Sequence, residues 1–315
     1  MEVINGDAIS KMVGYSFGDQ AGVLMGIPGA FMKKADRTNL EFLELCRSRL
    51  FDNPHPHLTL FIDNIRLYKR PIILKEIDQP WIEKLQEEDL LSLCSQLNQH
   101  TFTIYTSHED TPIDEHIVVP SNVRKIYATN AVYNNDKIIP FPYGLQRKMN
   151  DEDNRIEIMK EMVEKDEHQE PTKLLYINCG LGSERNAPER AYLPHFEAYE
   201  WATCRFNKDS MFFPYSQYRA FLSEMRDHKF MICPEGHGID CHRNWELLYM
   251  RRVPVMKQSP YFARLMQGFP VLFVERWEDV TEELLAQNDH LYQEALTMDL
   301  QKLDLIEYIN ENSKK

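Results

Sequence analysis

The chain has 315 residues, 43% hydrophobic and 11% aromatic, a composition that fits a folded globular protein and excludes a disordered one. Its formal net charge of −13 argues against a general binder of nucleic acid or anionic membrane, because phosphate-rich partners are repelled overall. The length allows two domains of ordinary size, each able to bury its own core.

Apolar runs predict buried strands over 58–62, 71–74, 101–105, 123–128 and 137–140. Helical spacing runs over 39–50 and again over 82–97, where Leu85, Leu90 and Leu93 recur behind Trp81. Strands alternating with helices favour a parallel, doubly wound sheet. His108, Glu109, Asp110 and Asp114 crowd the loop after the strand at 101–105. Ligands gather at such strand ends in open α/β sheets, and a carboxylate there can take the proton of an acceptor hydroxyl. Asp110 is the first choice, because Pro112 turns the chain directly after it, and Glu109 is the second. A solvated acidic turn is the rival reading of the same residues.

The run 150–170 is highly charged, with one apolar stripe at Ile156, Met159 and Val163, and Pro171 ends it. The domain junction is expected here, giving a first domain over 1–150, a linker helix over 151–171 and a second domain over 172–315. The second series opens with a strand over 173–178 and the turn Gly180-Leu181-Gly182. Its glycines permit close backbone approach, and Arg185 follows within reach of a diphosphate, although an ordinary tight turn has the same pattern.

The most informative stretch is 230–256. A strand over 230–232 ends at Pro234, a polar loop carries Gly236, Gly238 and Asp240, a helix covers 241–249, and a strand follows over 253–256. Strand, glycine turn, helix, strand is the order of an α/β nucleotide-binding half. Its turn sets backbone N–H groups at a helix N-terminus, where they can face phosphate. Arg243 and Glu246 stand three apart and share one helix face: a cation for a diphosphate, a carboxylate for sugar or ribose hydroxyls. Asp240 and His242 are further candidates, Asp240 also as a helix cap. Beyond lie a strand over 268–274, a helix over 277–287 and a terminal helix over 300–309.

No segment approaches the ~20 apolar residues that cross a bilayer, and the opening MEVINGDAISK lacks the basic-then-apolar build of a signal peptide. The six cysteines follow no disulfide rhythm. A soluble, cytoplasmic chain with no integral membrane segment is therefore expected. Cys233, His237, Cys241 and His242 invite a zinc reading, a hydrolase, but their spacing differs from that of C-x2-C sites.

Arg243, Glu246, Pro254 and Val255 together resemble the C-terminal motif of exostosin-like glycosyltransferases, approximately Gly-x4-Arg-x2-Glu-Ala-x3-Gly-Cys-x-Pro-Val. Arg251 stands where that pattern usually has Gly and Arg252 where it often has Cys, which suggests added positive charge. The segments 127–131 and 139–145 also resemble recurring stretches of the family's first domain. The resemblance implies a GT-B architecture, two Rossmann-like domains facing across a cleft. It implies a nucleotide-sugar donor, most often a UDP-sugar, on the second domain and a glycan acceptor on the first, with inversion and without a metal. Gly180, Gly182, Arg185, Gly238, Asp240, His242, Arg243 and Glu246 are then the donor-site candidates, with Arg190 second to Arg185 for the donor phosphate. A protein that binds nucleotide or glycan without turnover is the non-enzymatic alternative.

Overall fold

The computed structural model describes residues 57–63, 67, 89–107, 112–145, 154–164, 170–181, 187–207, 217–236, 238–304 and 308. The expected strand at 71–74, the helix at 39–50, and His108, Glu109, Asp110, Gly182, Arg185 and His237 lie outside these residues. The chain divides into two compact units between Pro142 and Tyr143.

The first unit carries β1 (His57–Asp63), α1 (Leu90–Gln96), β2 (Thr101–Ser107), β3 (Val123–Ala128) and β4 (Ile138–Pro140). They form one sheet in the order β1-β2-β3-β4, every neighbouring pair parallel. Phe102, Ile104 and Ile126 are wholly buried, and Tyr105 stacks on Tyr127 at 4.7 Å with Phe141 edge-on to both. α1 starts at Leu90, because the Asp89 side chain accepts the Ser92 N–H at 2.6 Å and caps the helix there. At its far end the Asn122 amide donates to the carbonyl of Cys94 at 2.7 Å, taking up one of the acceptors a helix terminus leaves open.

The second unit holds α2 (Arg155–Glu164), β5 (Lys173–Gly180), α3 (Ala187–Arg190), β6 (Ala202–Asn207), α4 (Tyr218–Arg226), β7 (His228–Ile232), α5 (His242–Tyr249), β8 (Val253–Lys257), α6 (Pro260–Leu265), β9 (Leu272–Val274), α7 (Glu282–Gln287) and α8 (Asp289–Thr297). Its sheet is parallel throughout in the order β6-β5-β7-β8-β9. Strand alternation sends Leu175, Ile177, Phe230, Ile232, Val253 and Val255 to one face, under Trp277, Leu285 and Tyr292. Tyr176 points to the other face, toward Phe221 of α4.

Several boundaries differ from expectation. α2 was expected to link the domains, but the second unit begins at Tyr143 and includes it. The helix packs on α4 and α5, with Arg219 paired to Glu161 at 2.5 Å. Its buried face is Arg155, Ile158, Met159 and Met162 rather than the stripe through Ile156 and Val163. β9 is confined to Leu272–Val274, since Gly268 turns at φ +84° and Pro270 lacks an N–H. The helix expected over 277–287 is broken at Val280 and begins again on the Thr281 cap. The terminal helix opens as a 3-10 turn, Leu300–Leu303, and breaks at Asp304, whose backbone is extended. α4, β6 and α8 were not anticipated.

The end of α5 explains the two arginines that depart from the family pattern. The N–H of Arg252 bonds the Leu247 carbonyl at 2.9 Å and the N–H of Arg251 bonds that of Leu248 at 3.1 Å. This is a Schellman closure, with Arg251 at φ +55° in the position that favours glycine. The Arg251 guanidinium reaches the carbonyls of Leu296 at 2.7 Å and Met298 at 2.6 Å, at the open end of α8. Arg252 bonds the Arg226 carbonyl at 2.6 Å and lies over the Tyr292 ring. Both cations are committed to backbone carbonyls, which corrects the expectation of added positive charge. Arg251→Ala should therefore cost about 1.5 kcal/mol, whereas Arg251→Gly should cost about 0.5–1 kcal/mol less by relieving the left-handed backbone. Urea unfolding measures both; a glycine variant less stable than the alanine one would refute the strain.

Candidate functional site

The second sheet has one topological switch point. β6 lies on one side of β5 and β7 on the other, so the connections leaving β5 and β7 diverge at their carboxyl ends, the place where open α/β sheets bind ligands. Gly180 ends β5 there, and the loop from Cys233 to Cys241 leaves β7 there and enters α5. No side chain caps α5 at Cys241, and the Asn244 N–H turns back to the Cys241 carbonyl at 3.1 Å.

Arg243 is the distinctive group. Its Nε is buried without a hydrogen-bond partner, and its guanidinium lies 5.7 Å from the centre of the Phe221 ring. Among the described residues it has neither a hydrogen bond nor an ion pair. Glu246, one turn along, acts on it only through its field: its Oε1 accepts the Tyr218 hydroxyl at 2.8 Å. Glu246 is 7% exposed. Burial pushes its carboxyl up, against the pull of the Tyr218 hydroxyl and the Arg243 and Arg155 charges. An unpaired cation held out of water is costly unless a ligand completes it.

Arg190, on α3, lies across the switch point. Its Nη1 donates to the Gly180 carbonyl at 2.6 Å and its Nη2 to that of Glu235 at 2.5 Å. The same region holds a polar chain on the opposite sheet face from the main core. Asn178 donates to the Tyr176 oxygen at 2.6 Å, the Tyr176 hydroxyl to Glu224 at 2.7 Å, and Arg205 pairs with Glu224 at 2.7 Å.

Asp240 has a different part from the one expected. It is 1% exposed, and its carboxylate accepts the Tyr143 N–H at 2.7 Å, the Asn244 amide at 2.9 Å and the Trp245 indole N–H at 2.9 Å. Burial raises it to about 6 in spite of those bonds and a further one from the Cys241 N–H. Neither of its oxygens is left for a ligand, and it does not cap α5. His242 bonds the Gly144 carbonyl through Nδ1 at 2.7 Å and packs on Tyr143 at 4.5 Å. Gly144 presents that carbonyl from φ +69°, a conformation glycine adopts freely. Asp240 and His242 thus fasten the segment 143–145 to the start of α5. Gly238 is buried, and its carbonyl accepts the Gly236 N–H at 3.0 Å.

Among the described residues Cys233, Cys241 and His242 join no group of three close ligand atoms, and His237 lies outside those residues. Burial raises the Cys233 thiol well above its ordinary value and the Cys241 thiol to about 11. Among the described residues, only Asp114, Glu115 and His116 bring three ligand atoms within 4.8 Å of one another, and Glu115 and His116 are exposed.

Of the candidates named from sequence, Arg243, Glu246 and Gly180 lie at this switch point, together with Tyr218, Phe221 and Tyr176, which were not among them. The signal for α4 was present, since Tyr218, Phe221, Leu222 and Met225 recur at helical spacing. The chain matches no protein-family model and no curated protein.

Proposed function

We propose that the second unit binds a nucleotide sugar, in the first instance a UDP-sugar, and that the chain is a glycosyltransferase of the exostosin-like, GT-B kind. The observation that carries this reading is the Arg243 guanidinium at the switch point, whose Nε is buried and which has no hydrogen bond among the described residues, on the same helix as a carboxylate held in place by a tyrosine. A diphosphate supplies the anion Arg243 lacks, and the hydroxyls of a ribose or sugar suit Glu246 as acceptor. As the acceptor oxygen bonds to the anomeric carbon and the bond from that carbon to the diphosphate breaks, with inversion, charge grows on the leaving diphosphate. Arg243, Arg185 and the start of α5 stabilise that charge as preorganised electrostatics, in the role a metal ion takes elsewhere. The first unit binds the glycan acceptor, and Asp110, or Glu109 in its place, takes the proton of the attacking hydroxyl.

A thermal-shift panel of nucleoside diphosphates and their sugars tests the reading. At ~100 times its dissociation constant a ligand stabilises by roughly 2.7 kcal/mol, a rise of about 5–10 °C for a unit of this size. The expected result is a rise with UDP or one of its sugars and none with uncharged sugars. No shift with any nucleoside diphosphate at millimolar concentration would remove the assignment.

A further inference from the structure

We infer that Arg190 is a positioning residue that prepares the switch point for a diphosphate, by joining the ends of β5 and β7 and by neutralising two carbonyl oxygens there. The inference rests on the nucleotide reading above. Parallel strands end in carbonyl groups, whose partial negative charge opposes an approaching phosphate. At this switch point the two outgoing connections also diverge, so no ladder bond holds the segments beyond the strands together. One planar guanidinium answers both problems. Its two Nη groups donate to Gly180, at the end of β5, and to Glu235, after β7. The two segments are thereby set at the separation of one fork, and a full positive charge stays beside them.

The Nε of Arg190 is buried and has no hydrogen-bond partner. Both Nη groups face protein carbonyls, so Arg190 acts on a phosphate through the backbone it holds and through its field. This separates it from Arg243, whose guanidinium has no hydrogen bond among the described residues. Its position on α3 is fixed by the neighbouring residue, since the Trp277 indole donates to the backbone carbonyl and the carboxylate of Glu189, each at 3.0 Å. Lysine keeps the charge but not the fork, and cannot hold both carbonyls in one plane.

The test measures UDP by calorimetry and uridine by NMR titration, on wild type, Arg190→Met and Arg190→Lys, with the melting temperature of each. Arg190→Met is expected to weaken UDP by about tenfold or more and to leave uridine unchanged, because uridine has no phosphate to sense the lost field. Arg190→Lys should fall between wild type and Arg190→Met. Equal UDP affinity in all three proteins overturns the inference and leaves the nucleotide reading standing. An equal loss for UDP and uridine overturns it in favour of general support of the fold. Should Arg190→Met fail to fold, Arg190→Lys decides alone, and unchanged UDP affinity in it overturns the inference. A wild-type chain that binds neither compound overturns the nucleotide reading, and this inference with it.

Discussion

Asp240→Ala is expected to lower the unfolding free energy at pH 7 by about 3 kcal/mol. The donors left without this acceptor include three, the Tyr143 N–H, the Asn244 amide and the Trp245 indole, at about 1–3 kcal/mol each, besides the Cys241 N–H. Against this, the wild type holds an ionised carboxylate out of water. Its folded value of about 6 against an ordinary 3.8 makes that burden about 3 kcal/mol at neutral pH. Three donors outweigh one carboxylate, and the variant loses.

The pH dependence has a definite sign. Because the folded value is raised, folded Asp240 takes up a proton as pH falls through about 6, while the unfolded chain does so only near 3.8. The contribution favours folding below that window and is lost as pH rises through it. The wild type therefore gains on the variant between pH 7.5 and 5, by about 1 kcal/mol. His228, whose burial holds it below its ordinary 6.5, destabilises both proteins on acidification and cancels in the difference. Denaturant unfolding at the two pH values measures this; a constant gap would refute the raised carboxyl, and no loss at all would refute the three-donor hub.

The contrast between Asp240 and Arg243 shows what a sequence carries. The order of strand, turn, helix and strand over 230–256 is local, written in an apolar triplet, a proline and helical spacing, and the structure has it within a residue or two. Asp240 just ahead of a helix reads as a cap. Its actual partners include Tyr143, which is far away in the chain, and no spacing rule reports a bond of that separation. The same holds for Glu246, whose partner Tyr218 lies on a different helix. Arg251 was visible as a departure from a glycine position, yet its φ and its capping of α8 depend on how α5 and α8 meet. In α2 the burial of Arg155 rotated the apolar stripe, since a charged residue was assumed to face water. Periodicity located the elements; the chemistry between them needed the packing.

Arg243→Ala is expected to weaken UDP binding by about 100-fold and to leave the unliganded fold as stable as before. A guanidinium that meets a diphosphate through two charged hydrogen bonds contributes about 1.5–3 kcal/mol for each, and every 1.4 kcal/mol is about tenfold in affinity. In the free protein the same group bonds nothing among the described residues, and its ring contact with Phe221 is of the order of 1 kcal/mol. Removing it also removes a cation whose Nε is buried without a partner, which offsets that contact. Function and stability should thus separate at this residue. Glu246→Gln gives the complementary result. Its amide oxygen still accepts the Tyr218 hydroxyl, so the fold is kept, while the charged acceptor for ligand hydroxyls is lost, at about tenfold for UDP. Pyrophosphate sorts the two roles: it has no hydroxyl-bearing ring, so Arg243→Ala should weaken it strongly and Glu246→Gln hardly at all. Calorimetry with UDP and pyrophosphate on the two variants settles the assignment. Unchanged UDP affinity in a folded Arg243→Ala protein would put the nucleotide elsewhere, because no other group at this switch point is held in the same unpaired state among the described residues.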